Sequence, residues 1–556
     1  MKAVTRDGFI LDGWGKEIYM LKRLGLIIFI ICFTLVACNN KSADQEDIDS
    51  NSEAKENVNK SGMPIVEEPE TFSMFTGKVA QNAKADWNDI FIWNEYEDMT
   101  NINLEWEEID FDALDEQRNL ALGGGDLPDI FFWSQLPNTD IYRYGQQGTF
   151  IELNDLIDEY APNLSKLMEE DPSIRKAITF PDGSIYTMPP IVDEDFTSFL
   201  ITSRPWFNQD WLDELDMEVP ETTDEFYEFL KAVKELDPAG NGDTVPYGGT
   251  SIDELVQYLS GAFGVANKGV NNGPVDLHPE KDEVRFYAST DEYKALLEYT
   301  NKLFEEGLIE ENIFTIEWDQ FLATAADEHY ASMVFYDPID LFGEEVGKAY
   351  ECGTALEGPF GDQLFVKAFS TVTTAGSFAI TKENPNPAAA VRWMDYFYSD
   401  EGAKFYFMGV EGETYEKNED GELEYMDRIK NPPEDSTFEQ ELAKELTWIG
   451  AEIGLIKEDY FNGSEVAPTS LEAADKIAPQ VPEEIWPAFT YTEEENNTLN
   501  SIGQDIDKYV EEMRDKFIAG DVDFSEWDDY VEQIDKMGLD EYMEIKQTAY
   551  ERYQDY

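Results

Sequence analysis

The sequence is short of cysteine, histidine and positive charge, and each shortage excludes something. Its 3 cysteines among 556 residues are Cys32, Cys38 and Cys352. Cys32 lies inside an apolar run near the start and Cys38 closes that run, so a chain processed at Cys38 keeps Cys352 as its one other thiol. No intramolecular disulfide is then available, and an exported chain of this kind must be held by its core. At this length and with 42% hydrophobic residues it has ample material for two or more domains. The 2 histidines, His278 and His329, fall in no recognised motif, and neither G-x-S-x-G nor H-E-x-x-H occurs. That argues against an enzyme built on an imidazole base.

Lysine and arginine number 40 against 119 acidic residues, a net charge of −79 spread along the whole chain. Such a surface repels nucleic acid and anionic headgroups and favours solubility in high salt, where screening removes self-repulsion. Charge runs of this sort are solvated faces first and binding sites second, so the charge reads as adaptation to a saline or alkaline exterior.

Long apolar runs are also missing. The run over residues 24–37 falls short of the roughly 20 residues a membrane-spanning helix needs, and it is preceded by Lys22 and Arg23 and followed by a polar stretch. This is the order of an export signal. Its end, Leu35-Val36-Ala37-Cys38, resembles the lipobox of bacterial lipoproteins, which implies lipidation at Cys38 and anchorage by several acyl chains, each buried CH₂ adding about 0.8 kcal/mol. Residues 1–19 read as a mis-assigned start, 20–37 as the signal peptide, and 38–70 as the lipidated cysteine with a flexible linker. Residues 39–70 contain no aromatic side chain and little apolar content, so they should remain a stalk of roughly 30 Å.

From "TFSMFTG" onward, strand-like runs alternate with helical periods, the pattern of α/β domains. In "ETTDEFYEFLKAVKELDP", Thr222 and Glu225 form a capping box, Phe226, Phe229, Leu230 and Val233 share one helical face, and Asp237-Pro238 ends the helix. "FSEWDDYVEQIDKMG" repeats the logic, with Ser525 as the cap and Gly538 just past the end.

Several blocks resemble the extracellular solute-binding proteins of carbohydrate ABC importers, in the long lipoprotein branch of Gram-positive bacteria. "ALGGGDLPDIFFW" is similar to a Gly-Asp-x-Pro-Asp block of that family, through Gly125, Asp126, Pro128 and Asp129. "GTFIELNDLIDEYAPNLSKL", "DGSIYTMPP", "RPWFNQDWLDELDMEVP", "FAITKENPNPAAAVRWMDYF" and "AFTYTEEE" follow in the expected order. The resemblance covers residues 72–553. It implies a class II periplasmic-binding-protein-like fold, two α/β lobes joined by a hinge around a ligand cleft. By family position, residues 71–190 and 331–376 make lobe 1, and 191–330 with 377–556 make lobe 2.

A sugar presents apolar ring faces and hydroxyl edges, so its site needs aromatic platforms with carboxylates or amides in a concave cleft. The chain has 12 Trp, 28 Tyr and 35 Phe, so most of its aromatics must be core. The ligand-contact candidates are Trp133, at the end of the Gly-Asp-x-Pro-Asp block, then Trp206, Tyr336 and Asp337 by family topology, with Trp318 and Trp448 behind them. Trp393, Trp486 and Trp527 are expected to be structural, and Glu411 and Glu413 to belong to a tight turn. In relatives such as the alginate-binding proteins, the loop "DPAGNGDTVPY" resembles half an EF-hand. Asp237, Asn241 and Asp243 could supply oxygens to Ca²⁺, but Ala239 stands at a ligand position and the loop looks shortened, so it reads as a plain turn.

The resemblance thus implies a non-catalytic, monomeric receptor on the outer face of the membrane, with no cofactor. It would capture an oligosaccharide and hand it to permease subunits. Two alternatives stay open: a surface-anchored carbohydrate-active enzyme using paired carboxylates, and the same fold carrying a peptide or another solute.

Overall fold

The computed structural model describes residues 57–79, 86–418, 421–433, 436–447 and 451–556. The start, signal and lipidation readings, most of the stalk, and Trp448 lie outside these residues. Among the described residues no helix is long and apolar enough to cross a membrane.

A nine-residue parallel pair opens the fold. β1 (Glu70–Lys78) runs beside β2 (Ile102–Asp110), in register from Glu70↔Ile102 to Lys78↔Asp110. β2 turns Ile102, Leu104 and Trp106 inward and Asn103, Glu105 and Glu107 outward, as a strand with one buried face must. β3 (Ile130–Phe132), buried throughout, flanks β1 on its other side. The strand Phe378–Ile380, returning from far along the chain, enters antiparallel between β3 and β4 (Thr187–Met188). Under this sheet Trp93 packs against Trp87, Trp106, Phe132 and Trp393 at centroid distances of 5.2 to 6.2 Å. Such pairs each add about 0.5–1.5 kcal/mol beyond area burial.

Two further strands lead out of this core. β5 (Ile191–Val192) pairs in parallel with Leu455–Ile456, and the Val192 N–H donates to the Thr371 carbonyl at 2.8 Å. Three passages of the chain therefore run side by side at the hinge. Beyond it, β6 (Arg204–Asn208) lies between Tyr350–Cys352 and Ser332–Phe335, antiparallel to both. The helix Thr223–Leu236 packs against this second core with Phe226, Phe229, Leu230 and Val233, and its capping box of Thr222 and Glu225 forms as its sequence predicts. It stops at Asp237, whose φ of 50° is left-handed.

The structure corrects the expected boundaries. One hydrophobic core draws on residues 58–199 and 372–461, the other on 201–368 and 473–553. Residues 331–352 therefore belong with the second lobe, because Ser332–Phe335 and Tyr350–Cys352 supply the two edges that β6 needs for its backbone groups. Residues 378–461 belong with the first. The chain crosses three times, as those boundaries imply, but the second and third crossings fall later in the sequence. The stalk also ends earlier than residue 70: Val58, Ile65 and Val66 are buried, and the Ile65 N–H donates to the Thr100 carbonyl at 3.0 Å. Three apolar anchors in an otherwise polar stretch suffice to order it. Before the helix Trp527–Met537, Asp523 rather than Ser525 caps the short 3₁₀ turn Phe524–Glu526, its carboxylate accepting from the Ser525 N–H at 2.8 Å, while Gly538 ends the helix at φ 107°.

Candidate functional site

In open α/β sheets ligands bind beyond the carboxyl ends of strands. On the first lobe those ends carry Gly77, Phe111 and Trp133. A Cβ on Gly77 would lie 3.3 Å from the Trp133 ring, so the glycine leaves room for the indole. Trp133 has φ 41° and Gln135 φ 53°, both left-handed, and such strain at non-glycine residues costs on the order of 1–3 kcal/mol each. The surroundings hold it in place. The Trp133 N–H donates to the Ser377 carbonyl at 2.6 Å, and the buried Arg118 guanidinium donates to the carbonyls of Ser134 and Gln135 at 3.0 and 2.6 Å. Trp133 itself is 6% exposed, and Phe111, 46% exposed, packs 5.9 Å from it. The solvent face of this pair is thus Phe111, which sequence reasoning missed. The signal was present in β2, whose alternation ends at Asp110 with a large apolar residue following.

On the second lobe the strand Ser332–Phe335 ends beside the start of β6, next to the hinge. Trp318, 52% exposed, packs at 6.0 Å on Phe335, and Tyr336, 49% exposed, packs on the same ring at 5.3 Å. The structure thereby brings two of the expected contact residues into one open aromatic surface. Arg204 ties that surface to the hinge, donating to the Tyr336 carbonyl at 3.0 Å and to the carbonyl and hydroxyl oxygens of Ser198 at 2.7 Å. The Ser198 hydroxyl in turn donates to the Glu465 carbonyl at 2.6 Å.

Burial, then the charges of Glu254 and Glu465, raise the Tyr336 phenol above its ordinary value. Glu452, on the third passage of the hinge, accepts from the Thr373 hydroxyl at 3.4 Å. Burial, with the charge of Glu465, pushes it up to about 7. Beside Thr373, a cavity of about 380 Å³ is lined from the first lobe by Leu136, Asn138 and Ala177 and from the second by Phe489 and Tyr491.

Other expected contacts take different roles. Trp206, 2% exposed, sits inside β6 with its indole N–H donating to the Phe335 carbonyl at 3.0 Å, so it has no free face for a ligand. Asp337 is 1% exposed; it caps the helix Pro338–Phe342 by accepting from the Ile339 N–H at 2.8 Å, and it accepts from the hydroxyls of Thr469 and Ser470. Both are framework. Trp393, Trp486 and Trp527 are buried. The Asp237 carboxylate is spent inside its own loop, taking the Gly242 N–H on one oxygen and the Thr244 hydroxyl on the other, both at 2.8 Å. Among the described residues no group of three or more acidic, histidine or cysteine side chains is placed to hold a metal. These residues do not fit a Ca²⁺ site as arranged.

The family model for bacterial extracellular solute-binding proteins matches residues 80–404, more than half of the chain. The chain belongs to that family. Among curated members it is 28% identical over 507 residues to the fructooligosaccharide ABC transporter substrate-binding protein FusA of Streptococcus pneumoniae serotype 4, covering 88% of this chain and 91% of that one. It is 24% identical to the polygalacturonan/rhamnogalacturonan-binding protein YtcQ of Bacillus subtilis, covering 82% and 87%. The solved structure of FusA in complex with kestose superposes with a TM-score of 0.67 at 26% identity, covering 87% of this chain and 99% of FusA. An extracellular solute-binding protein of Bifidobacterium longum subsp. infantis shares the fold, with a TM-score of 0.74 at 21% identity over 89% of this chain and all of that one. This family member therefore has the two-lobed class II binding fold.

Proposed function

We propose that this protein is the capture subunit of a carbohydrate ABC importer, binding an oligosaccharide between its lobes and releasing it unaltered to permease subunits. The observation that carries the reading is the pair of half-exposed rings, Trp318 and Tyr336, both packed on the buried Phe335 next to the hinge. A sugar ring stacks on an exposed aromatic face, and its hydroxyls pair with polar groups beside that face. Similarity to FusA, whose solved complex holds kestose, supports the ligand class. Ligand would favour a closed arrangement of the lobes over an open one, and the closed form would dock. The chain acts as a monomer outside the cell, tethered through Cys38.

Isothermal titration with 1-kestose and nystose, followed by chromatography of the recovered sugar, tests this. Saturable binding with intact sugar is expected. Cleaved sugar would make the protein an enzyme. Failure of every fructo-, malto- and galacto-oligosaccharide to bind would remove the carbohydrate reading.

A further inference from the structure

The two lobes touch at a second place, apart from the three hinge passages. The helix Pro172–Ile178 belongs to the first core through Ile174, Ala177 and Ile178, and the helix Leu539–Asp555 to the second through Tyr542, Ala549, Tyr550 and Tyr553. The two helices meet, and three side chains bond across the meeting to backbone carbonyls. The Thr490 hydroxyl donates to the Thr179 carbonyl at 3.1 Å, and the Tyr556 hydroxyl to the Phe180 carbonyl at 2.9 Å. In the reverse direction Lys176 donates to the Gln554 carbonyl at 3.2 Å, with its ammonium 5.3 Å from the centre of the Tyr553 ring. Granted the two-lobed capture role above, we propose that this contact is a latch. It holds the lobes at one angle, must break when they swing, and so sets how tightly the receptor binds its sugar.

Each half of the latch is stiff within its own lobe. Arg552 donates to the two Glu495 carboxylate oxygens at 2.9 and 2.7 Å and to the Thr490 carbonyl at 3.1 Å, which ties Thr490 to the helix carrying Tyr553 and Gln554. On the first lobe, Phe180 stacks on Tyr142 with 9° between the ring planes and packs on Tyr186, so the accepting backbone is fixed. Thr179 follows the end of its helix, where carbonyls have no partner within the helix and a donor from elsewhere is welcome. Beside the latch lies the cavity of about 380 Å³, lined by the hinge residues Val372 and Ala375 and by Ala177, Phe489 and Tyr491. The lobes are therefore joined here by a few directional bonds next to open space. Such bonds are lost beyond about 3.5 Å, so a swing of an ångström or so at this point breaks them together. Each one shifts a two-state balance only about fivefold, a modest hold that ligand binding can release.

The test measures the distance between spin labels at Glu169→Cys on the first lobe and Glu305→Cys on the second, both exposed, with the buried Cys352 left in place. Double electron–electron resonance is recorded with and without 1-kestose. Thr490→Val and Tyr556→Phe each delete one donor while keeping the shape of the side chain, Lys176→Met deletes the third, and a Thr490→Val/Tyr556→Phe double variant deletes two. Without sugar, the distance distribution of the double variant should shift or broaden relative to the parent, with each single variant in between. Its dissociation constant for 1-kestose should change about fivefold or more, falling if the shift is toward the kestose-bound distance and rising if it is away from it. A sugar-free distribution identical to the parent's in all these variants overturns the latch, as does an affinity change that runs against the distance shift. Failure of 1-kestose to bind counts against the carbohydrate reading alone, because the sugar-free distances still decide the latch.

Discussion

Arg204 and Tyr336 are joined across the second lobe by a 3.0 Å hydrogen bond from the guanidinium to the Tyr336 carbonyl, and the same guanidinium holds Ser198 on the hinge passage. One buried side chain thus fixes the aromatic surface relative to the hinge. Arg204→Leu would leave the buried Ser198 carbonyl and the partly buried Tyr336 carbonyl without this donor, an unsatisfied buried group costing about 1–3 kcal/mol. We expect a loss of about 3 kcal/mol in urea unfolding, with Arg204→Lys retaining part of it. A loss under about 1 kcal/mol would show that water replaces the guanidinium.

The aromatic residues divide by exposure. Trp318→Ala and Tyr336→Ala should weaken sugar binding roughly tenfold or more, about 1.4 kcal/mol, while leaving the unfolding midpoint near that of the parent, because both rings are about half exposed. Trp206→Ala should do the reverse. Removing a fully buried Trp costs about 3–5 kcal/mol of stability, and the affinity of whatever remains folded should hold. An unchanged dissociation constant for Trp318→Ala and Tyr336→Ala together would move the site elsewhere.

What could be read from the sequence was local. The capping box at Thr222 and Glu225, the apolar face behind it and the left-handed stop near Asp237 follow from spacing within one helix, and the structure has them. The assignment of Ser332–Phe335 was not legible, because it depends on which distant strand has an open edge, and nothing near residue 332 records that β6 does. Trp206 was misjudged for the same reason: a tryptophan in a short strand is buried or exposed according to the sheet it joins. Asp337 is a different case. Asp followed by Pro338 is the signature of a helix cap with proline in the first turn, so its structural role could have been read directly. Glu452 carried no local signal, since Thr373 comes from another passage of the hinge and Glu465 lies further along its own.

Glu452 also makes a prediction about pH. Its carboxyl is raised by burial from an ordinary 4.5 to about 7 in the folded chain. Between those values the unfolded chain ionises while the folded one keeps its proton, so this group favours unfolding increasingly as pH rises through the window. Below pH 4.5 it contributes nothing, and above about 7 its full cost persists. Glu452→Gln should therefore match the parent in urea midpoint near pH 4.5 and exceed it at pH 8. The groups named around Glu452, Thr373 and Glu465, bring no cation that would reverse the sign. A stability difference that does not vary with pH would mean the carboxylate is fully hydrated in the folded state.

Calcium offers the last test, because the loop after the helix Thr223–Leu236 has the outline of a metal site and the bonding of a turn. Asp237 takes the Gly242 N–H and the Thr244 hydroxyl, and the Thr244 hydroxyl oxygen also accepts from the Ala239 N–H at 3.1 Å. An ion would have to displace these donors, and Ala239 offers no side-chain oxygen in exchange. The hydrogen bonds hold the Asp237 carboxyl below its ordinary value, the Gly242 N–H contributing most. Thermal unfolding should accordingly give the same midpoint in millimolar CaCl₂ and in EDTA. Asp237→Ala should lower that midpoint in both, by freeing the loop and by putting alanine at a left-handed φ of 50°. A Ca²⁺-dependent rise in midpoint that vanishes in Asp237→Ala would show that the loop rearranges to bind the ion, with the metal paying for the hydrogen bonds it breaks.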